Sequence, residues 1–359
     1  MDKRLEAEKK YYCVNSDDLM DKINTLGFKL IKSGTEMDEY FTDINSEYIR
    51  NRTCLRIRIT NNEDMEITFK GRSRDFTNTF AKLESNFKMD KSNYDNFKNL
   101  FSAIGYYSYT IVNKERYTYQ MKDENVIYNI MFDSIEDLGG FVEFEILYND
   151  FNTPEEEIYN KLNKFVSLFD SLNLEEANLP YRDFVAIKLY DDYKPKKEIK
   201  GIHLNLDTFL KAYEKEFYEF YKKVMKIEFN TSLKWKAFKD DIYNAMINPD
   251  VKRKFDTYFD NLKIQDSKFI LLFELLKQLK QKGLDIILST NCNETFVNNL
   301  LSKVFNDNTI NKVIYLNNNK AIYSEIKKNG LDLVNYFNIA KLNLEQTNSL
   351  LLIIINNLV

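Results

Sequence analysis

The residues of this sequence that could do chemistry are charged side chains at every second position of short extended segments. That spacing places them on one face of a β-strand, with apolar residues on the other face. Carboxylates in such a row are the hard oxygen ligands that Mg²⁺ and Mn²⁺ prefer, and arginines and lysines are the donors that a polyphosphate requires. The acidic positions are Glu6, Glu8, Glu84, Asp133, Glu143 and Glu145, and the basic positions are Lys10, Arg56, Arg58, Lys70, Lys82, Lys114 and Arg116.

The simplest interpretation of this alternation is an antiparallel sheet with one apolar face and one solvated, charged face. The distribution of sign argues against it, because a solvated face usually mixes acids and bases. Here the charged face is acidic in some segments, such as Glu143 and Glu145, and basic in others, such as Arg56 and Arg58. This segregation favours strands whose charged faces meet.

A sheet that closes on itself would bring those charged faces together inside a barrel, with the apolar faces packed outward against helices. Like-charged arginines and lysines inside such a barrel would repel one another when it is empty. A bound triphosphate would relieve that repulsion, and the acidic residues would hold a metal ion that bridges its oxygens. The pattern therefore predicts a site for a small-molecule triphosphate with Mg²⁺ or Mn²⁺.

The same residues resemble the CYTH domains, or triphosphate tunnel metalloenzymes. The segment EAEKK, from Glu6 to Lys10, is similar to the family's E-x-E-x-K signature. Other family landmarks follow in order: EYFTD, CLRIRIT, FKG, KLES, NKERY and FDSIEDLGGFVEFEI. The first signature alone is a weak pattern, but the ordered set is specific. The resemblance covers about residues 1–189.

This resemblance implies an eight-stranded antiparallel β-barrel with flanking helices, hence an α+β fold class. By position, it implies that Glu6, Glu8, Glu143 and Glu145 bind the metal, that Glu84 completes the metal site, and that Asp133 ligates or supports it. Phosphate contacts would come from Lys10, Arg56, Arg58, Lys70, Lys114 and Arg116. Lys82 stands where many relatives have arginine.

The family implies three candidate functions. Hydrolysis of inorganic tripolyphosphate, a nucleoside triphosphate or thiamine triphosphate is favoured here. The alternative is a class IV adenylyl cyclase that converts ATP to cyclic AMP, which differs only in the nucleophile. A third interpretation is a binding module that senses triphosphates or polyphosphate, but binding alone would not need so complete a set of metal carboxylates.

Composition limits the partners. The formal net charge is −4, from 51 basic and 55 acidic residues, which gives no reason to expect membrane binding or nucleic-acid binding beyond an RNA 5′-triphosphate end. Three cysteines without a C-x-x-C spacing indicate reduced thiols and a cytoplasmic location. The apolar segment SLLLIIINN is too short to span a bilayer and is interpreted as a buried strand. A homodimer is left open.

Two domains are expected, with residues 1–190 as the tunnel domain, 191–200 as a linker and 201–359 as an α/β domain. In the first, three amphipathic helices are expected: one with Ser16 as N-cap that ends at Gly27, one that ends near Gly105, and one that follows Pro154.

The second half resembles a degenerate haloacid-dehalogenase domain. Its segment IHLNLDTFL has Asn205 at the position of the nucleophilic aspartate and keeps Asp207, and Ser289 and Thr290 stand at the second motif. Lys320 is the candidate for the third motif's lysine. An amide is a poor nucleophile, so this domain is predicted to be non-catalytic, and His203 inside the apolar strand is interpreted as a core residue.

Overall fold

The computed structural model describes residues 5–45, 53–71, 84–123, 126–148, 153–212, 267–292, 308–316 and 331–357, with a few short stretches between them. The chain divides into two compact units, Met1–Lys188 and Leu189–Val359. Lys82 and Lys320, and the side chain of Glu84, lie outside the described part.

The first unit is built on an antiparallel sheet whose strands come from the alternating segments. In chain order its elements are β1 (Leu5–Tyr12), α1 (Ser16–Thr25), β2 (Lys29–Asp43), β3 (Cys54–Thr60), β4 (Asp64–Lys70), β5 (Glu84–Asp90), α2 (Tyr94–Ala103), β6 (Tyr106–Asp123), β7 (Val126–Ile135), β8 (Gly139–Tyr148), α3 (Glu155–Ser167), β9 (Glu175–Glu176) and α4 (Tyr181–Tyr193). The strand order is β5-β4-β3-β2-β6-β7-β8-β1-β9, so the described residues form nine strands of this sheet where eight are expected.

The sheet is strongly curved. Six strand-to-strand steps separate β4 from β1, which would be about 29 Å in a flat sheet. Nevertheless Lys70 Nζ on β4 lies 3.5 Å from Glu6 Oε1 on β1. The face that carries these two residues is therefore concave. No pairing between β5 and β9 closes the sheet in the described residues, so a closed barrel remains a prediction.

The convex face of the sheet is apolar and carries the helices. Apolar residues of β1, β7 and β8, such as Phe144, pack with α1 and α3 in one buried cluster. Apolar residues of β2, β3 and β4, such as Ile57, pack with Phe101 of α2 in a second cluster. The period-two alternation thus directs the charged residues into the concavity, as the sequence predicts.

The three expected helices of the first unit are present, with one difference at the start of α1. The cap is Asn15 rather than Ser16, because its side chain accepts hydrogen bonds from the backbone N–H groups of Asp17 and Asp18. Gly27, which follows the helix, has φ = +83°, a conformation that favours glycine.

The described residues of the second unit form a parallel sheet of four strands. Its described elements are β10 (Gly201–Asn205), α5 (Leu206–Ala212), α6 (Ser267–Gln281), β11 (Asp285–Thr290), β12 (Lys312–Tyr315), β13 (Tyr336–Asn338) and α7 (Leu344–Asn357), in the strand order β12-β11-β10-β13. Residues 191–193 of the predicted linker are helical, because α4 continues to Tyr193.

The strand prediction for SLLLIIINN is wrong, because this segment forms α7. All six residues from Leu350 to Ile355 are buried, so the helix is covered on every side. A helix buried on all sides loses its 3.6-residue pattern and then looks like a buried strand. Among the described helices, none combines the length and the apolar character that crossing a bilayer requires.

Candidate functional site

The centre of the concave face is organised by two carboxylates of β2 that the sequence analysis did not select. Asp38 is fully buried and accepts two hydrogen bonds from the Arg58 guanidinium, at 2.6 and 2.7 Å. Lys114 Nζ lies 3.2 Å from Asp38 and 3.3 Å from Glu36, and Arg58 Nη1 lies 3.2 Å from Glu36. Arg56 Nη1 lies 3.6 Å from Asp38. Three basic residues therefore share two acidic ones.

The electrostatics of this group favour the ionised carboxylates. Burial alone would raise the pKa of Glu36, but Arg58, Lys114 and Arg116 together lower it to about 2. Burial is likewise outweighed at Asp38, whose pKa lies well below its ordinary value because of Arg58, Lys114 and then Arg56. Burial and the neighbouring Arg116 lower the pKa of Lys114. The negative charge of Asp38 acts in the opposite direction and raises it.

A second ion-pair group lies on β6, β7, β8 and β1. Arg116 donates to both oxygens of the buried Asp133, at 2.6 and 2.5 Å, and its Nη2 also lies 2.5 Å from Glu143. Lys10 Nζ lies 3.3 Å from the other oxygen of Glu143. Burial would raise the pKa of Glu143, but Arg116, Lys10 and Lys114 lower it well below the ordinary range.

These pairings correct the expectation that the inward cations repel one another when the site holds no phosphate. Each described basic residue predicted to face inward has a carboxylate within 4.0 Å, and Glu36, Asp38, Asp133 and Glu143 provide most of these partners. The sequence contains a signal for these partners in the segment TEMDEY, where Glu36 and Asp38 occupy alternate positions like the other inward charges.

A third group consists of carboxylates. The ligand oxygens of Glu6, Glu8 and Glu145 all lie within 4.8 Å of one another, since Glu8 and Glu145 are directly opposite in the β1–β8 ladder. Asn129 donates a hydrogen bond of 2.5 Å to Glu145. Burial first, and then the charges of Glu8 and Glu143, raise the pKa of Glu145.

This third group fits a hard divalent cation. It offers three carboxylate oxygens at the separation that a single ion could bridge, and oxygen is the ligand that Mg²⁺ and Mn²⁺ prefer. Like-charged carboxylates this close disfavour their joint ionisation until a cation joins them. Glu143, predicted to be a metal ligand, instead pairs with Arg116 and Lys10 and is not in this group.

A cavity of about 440 Å³ is bordered by β2, β6 and the ends of β3 and β7. Glu36 and Lys114 line it together with Asn62, Asn113 and Glu136. The paired charges of the first group therefore lie next to open space large enough for a small molecule.

In the second unit, the C-terminal ends of β10 and β11 meet at Asp207. Its carboxylate accepts hydrogen bonds from Thr290 Oγ1 at 2.8 Å, Asn291 N at 3.1 Å and Asn291 Nδ2 at 2.8 Å. His203 is fully buried between Asn338 and Ser289, at 2.9 and 3.0 Å, which confirms its interpretation as a core residue. The haloacid-dehalogenase resemblance and its non-catalytic role remain predictions.

Comparison with known proteins places the first unit in a family. Residues 4–179 match the CYTH domain. A candidate adenylate cyclase of Methanocaldococcus jannaschii is 22% identical over 184 residues, which cover 51% of this chain and 98% of the relative.

Two solved structures are similar over the same half. A Pyrococcus horikoshii protein is 23% identical, with a TM-score of 0.43 over 51% of this chain and 99% of its own. A candidate adenylyl cyclase from Hippeastrum, described as having a dominant triphosphatase activity, is 12% identical, with a TM-score of 0.40 over 52% of this chain and 96% of its own.

The matched range coincides with the strands that carry the three charged groups, from β1 to β9. The ordered motifs of the sequence and the antiparallel sheet with its charged concave face agree with this match. Residues 4–179 of this chain therefore form a CYTH domain.

Proposed function

We propose that the CYTH domain hydrolyses a triphosphate in the presence of Mg²⁺ or Mn²⁺. The observation that carries this proposal is the cluster of Glu6, Glu8 and Glu145 on the same concave face as the arginines and lysines. A face for phosphate binding alone would need the cations but would gain nothing from three adjacent carboxylates. The CYTH family includes triphosphatases and candidate adenylate cyclases.

The arginines have the right geometry to receive phosphate without giving up their present partners. A guanidinium has five N–H donors, and a bidentate carboxylate uses two of them. Asp38 holds Arg58 in this way, and Asp133 holds Arg116. Glu36 lies beside Arg58 Nη1, and Glu143 and Met131 accept further donors of Arg116, so at least one N–H group of each arginine is left to contact a phosphate oxygen. Such donors are already oriented and need no reorganisation as negative charge shifts during the reaction.

Glu6, Glu8 and Glu145 would hold the divalent cation. When bound, such an ion neutralises phosphate charge and makes the phosphorus more electrophilic. Lys70, which lies 3.5 Å from Glu6, would contact both the metal site and the phosphate chain.

Cyclisation of ATP is the second candidate, because the Methanocaldococcus jannaschii relative is described as a candidate adenylate cyclase. Both reactions would use the same cations, and they differ in which phosphorus is attacked and by which oxygen. The position of the triphosphate along the concave face would decide between them. Hydrolysis needs only water as nucleophile, whereas cyclisation also requires a ribose hydroxyl group beside the α-phosphorus.

The test is a product analysis by ³¹P NMR with tripolyphosphate, ATP and thiamine triphosphate, each with Mg²⁺ or Mn²⁺ and with EDTA. Metal-dependent release of inorganic phosphate supports hydrolysis, and pyrophosphate with cyclic AMP supports the cyclase. Glu8→Gln should abolish turnover, and Glu156→Gln, at an exposed position of α3, is the matched control. Tight triphosphate binding without turnover under any metal would instead identify a binding module.

A further inference from the structure

The first turn of α4 inserts an aromatic ring beside two of the basic residues. Tyr181 is 4% exposed, and its ring centroid lies 3.9 Å from Lys10 Nζ and 5.4 Å from Lys114 Nζ. Both distances fall within the range of a cation–π interaction, which is stronger where water is excluded. These lysines come from β1 and β6, so one ring contacts cations from separated strands.

The segment before α4 holds Lys10 from another side. Its ammonium group donates a hydrogen bond of 3.5 Å to the backbone carbonyl of Leu179 and lies 3.3 Å from Glu143. A lysine side chain has four rotatable bonds and is costly to immobilise. Three contacts from different directions therefore fix an ammonium group that would otherwise move freely.

The ring is itself held in place by an aromatic cluster. Tyr181 packs edge-to-face on Phe141 of β8, with centroids 5.1 Å apart. Phe141 in turn contacts Tyr12 and Phe184, with centroids 5.2 and 5.8 Å away. Arg182, the next residue, donates a 2.5 Å hydrogen bond to the backbone oxygen of Thr53 before β3. The orientation of the ring is thus set by the sheet and not by the ligand.

We propose that Tyr181 is a positioning residue that holds the ammonium groups of Lys10 and Lys114 in place for a phosphate group. This inference rests on the proposed function, because it assigns these lysines to triphosphate binding. Sequence reasoning could not find Tyr181, since it lies on a helix after the last motif of the family resemblance.

The ring, and not the hydroxyl group, carries this role. Both lysine contacts are made by the ring, whereas the buried hydroxyl group interacts with Asp133. Burial, Glu143 and Asp133 raise the pKa of Tyr181 well above its ordinary value, so the ring is a neutral phenol at neutral pH. Tyr181→Phe should therefore preserve the positioning effect, which provides a conservative variant for the test.

The experiment measures tripolyphosphate binding by calorimetry in EDTA, and turnover with Mg²⁺ or Mn²⁺, for the full chain. Tyr181→Leu should weaken binding roughly 5- to 30-fold, as expected for the loss of two cation–π contacts. Tyr181→Phe should stay within about twofold of wild type. Phe184→Leu removes a ring of the same aromatic cluster that touches neither lysine, so it controls for loss of packing.

A variant of constant shape separates electrostatics from folding. Trifluorophenylalanine at position 181 keeps the ring's volume but removes the negative charge from its face, so it should weaken binding relative to Tyr181→Phe. Equal affinity of these two proteins would overturn the inference, even if Tyr181→Leu fails to fold. If wild type neither binds nor hydrolyses tripolyphosphate, ATP or thiamine triphosphate, the proposed function fails instead, so the two failures are distinguishable.

Discussion

Replacing Glu36 by Gln tests whether the acidic pair of β2 holds the concave face together. Glu36 is 3% exposed and lies within 3.4 Å of Arg58, Lys114 and Lys32. The amide keeps the volume of the side chain but removes the charge that compensates these cations. We expect the free energy of unfolding of the first unit to decrease.

The magnitude follows from the pKa of Glu36, which falls from 4.5 to about 2 on folding. A difference of about 2.5 pKa units corresponds to about 3 kcal/mol of stability at pH 7. Because the pKa of the folded state is the lower one, this stability is present above pH 4.5 and is lost as the pH falls toward 2. At pH 3 the cost of Glu36→Gln should shrink to about 1–1.5 kcal/mol.

The assay is urea unfolding at pH 7 and pH 3, followed by near-ultraviolet circular dichroism. Glu115→Gln on the exposed side of β6 is the matched control and should change stability by less than about 0.5 kcal/mol. Equal costs for the two substitutions at pH 7, or a Glu36→Gln cost that does not depend on pH, would refute the reasoning.

Three further predictions concern other parts of the molecule. Arg116→Lys keeps the positive charge but loses the planar guanidinium group that Asp133 orients with two hydrogen bonds, so turnover should fall about tenfold to hundredfold in steady-state assays. Wild-type kinetics would contradict this role. Glu145→Gln should abolish metal-dependent turnover, because it removes a carboxylate from the metal site. It should not lower the melting temperature in EDTA, because it relieves repulsion from Glu8. A lower melting temperature with full activity would exclude the metal assignment. Asp207→Asn should destabilise the second unit by about 1–3 kcal/mol in urea unfolding, because Asp207 accepts hydrogen bonds from Thr290 and Asn291 there, and it should leave triphosphate turnover unchanged. Lost turnover would show that the second unit supports the reaction.

The local pattern of the sequence was enough to predict most strands of the first unit, though not β2 or β9, and the direction of the charged side chains on those strands. A period of two fixes which residues share a face, and no tertiary contact is needed to read it. The same holds for the helices that end at Gly27 and near Gly105, where glycine marks the end. At residues 350–355 the pattern failed, since complete burial makes helix and strand equally apolar.

Only the tertiary structure decided how those charges are paired. The sequence placed Arg58, Arg116 and Glu143 on the inner face, but which carboxylate meets which cation depends on strand order, register and curvature. Glu145 and Glu143 are two residues apart on one strand, yet the first lies in the carboxylate cluster and the second pairs with arginine and lysine. Coulomb interactions fall off with distance in space and not along the chain, so contacts such as Lys70 with Glu6 follow only from the curved sheet.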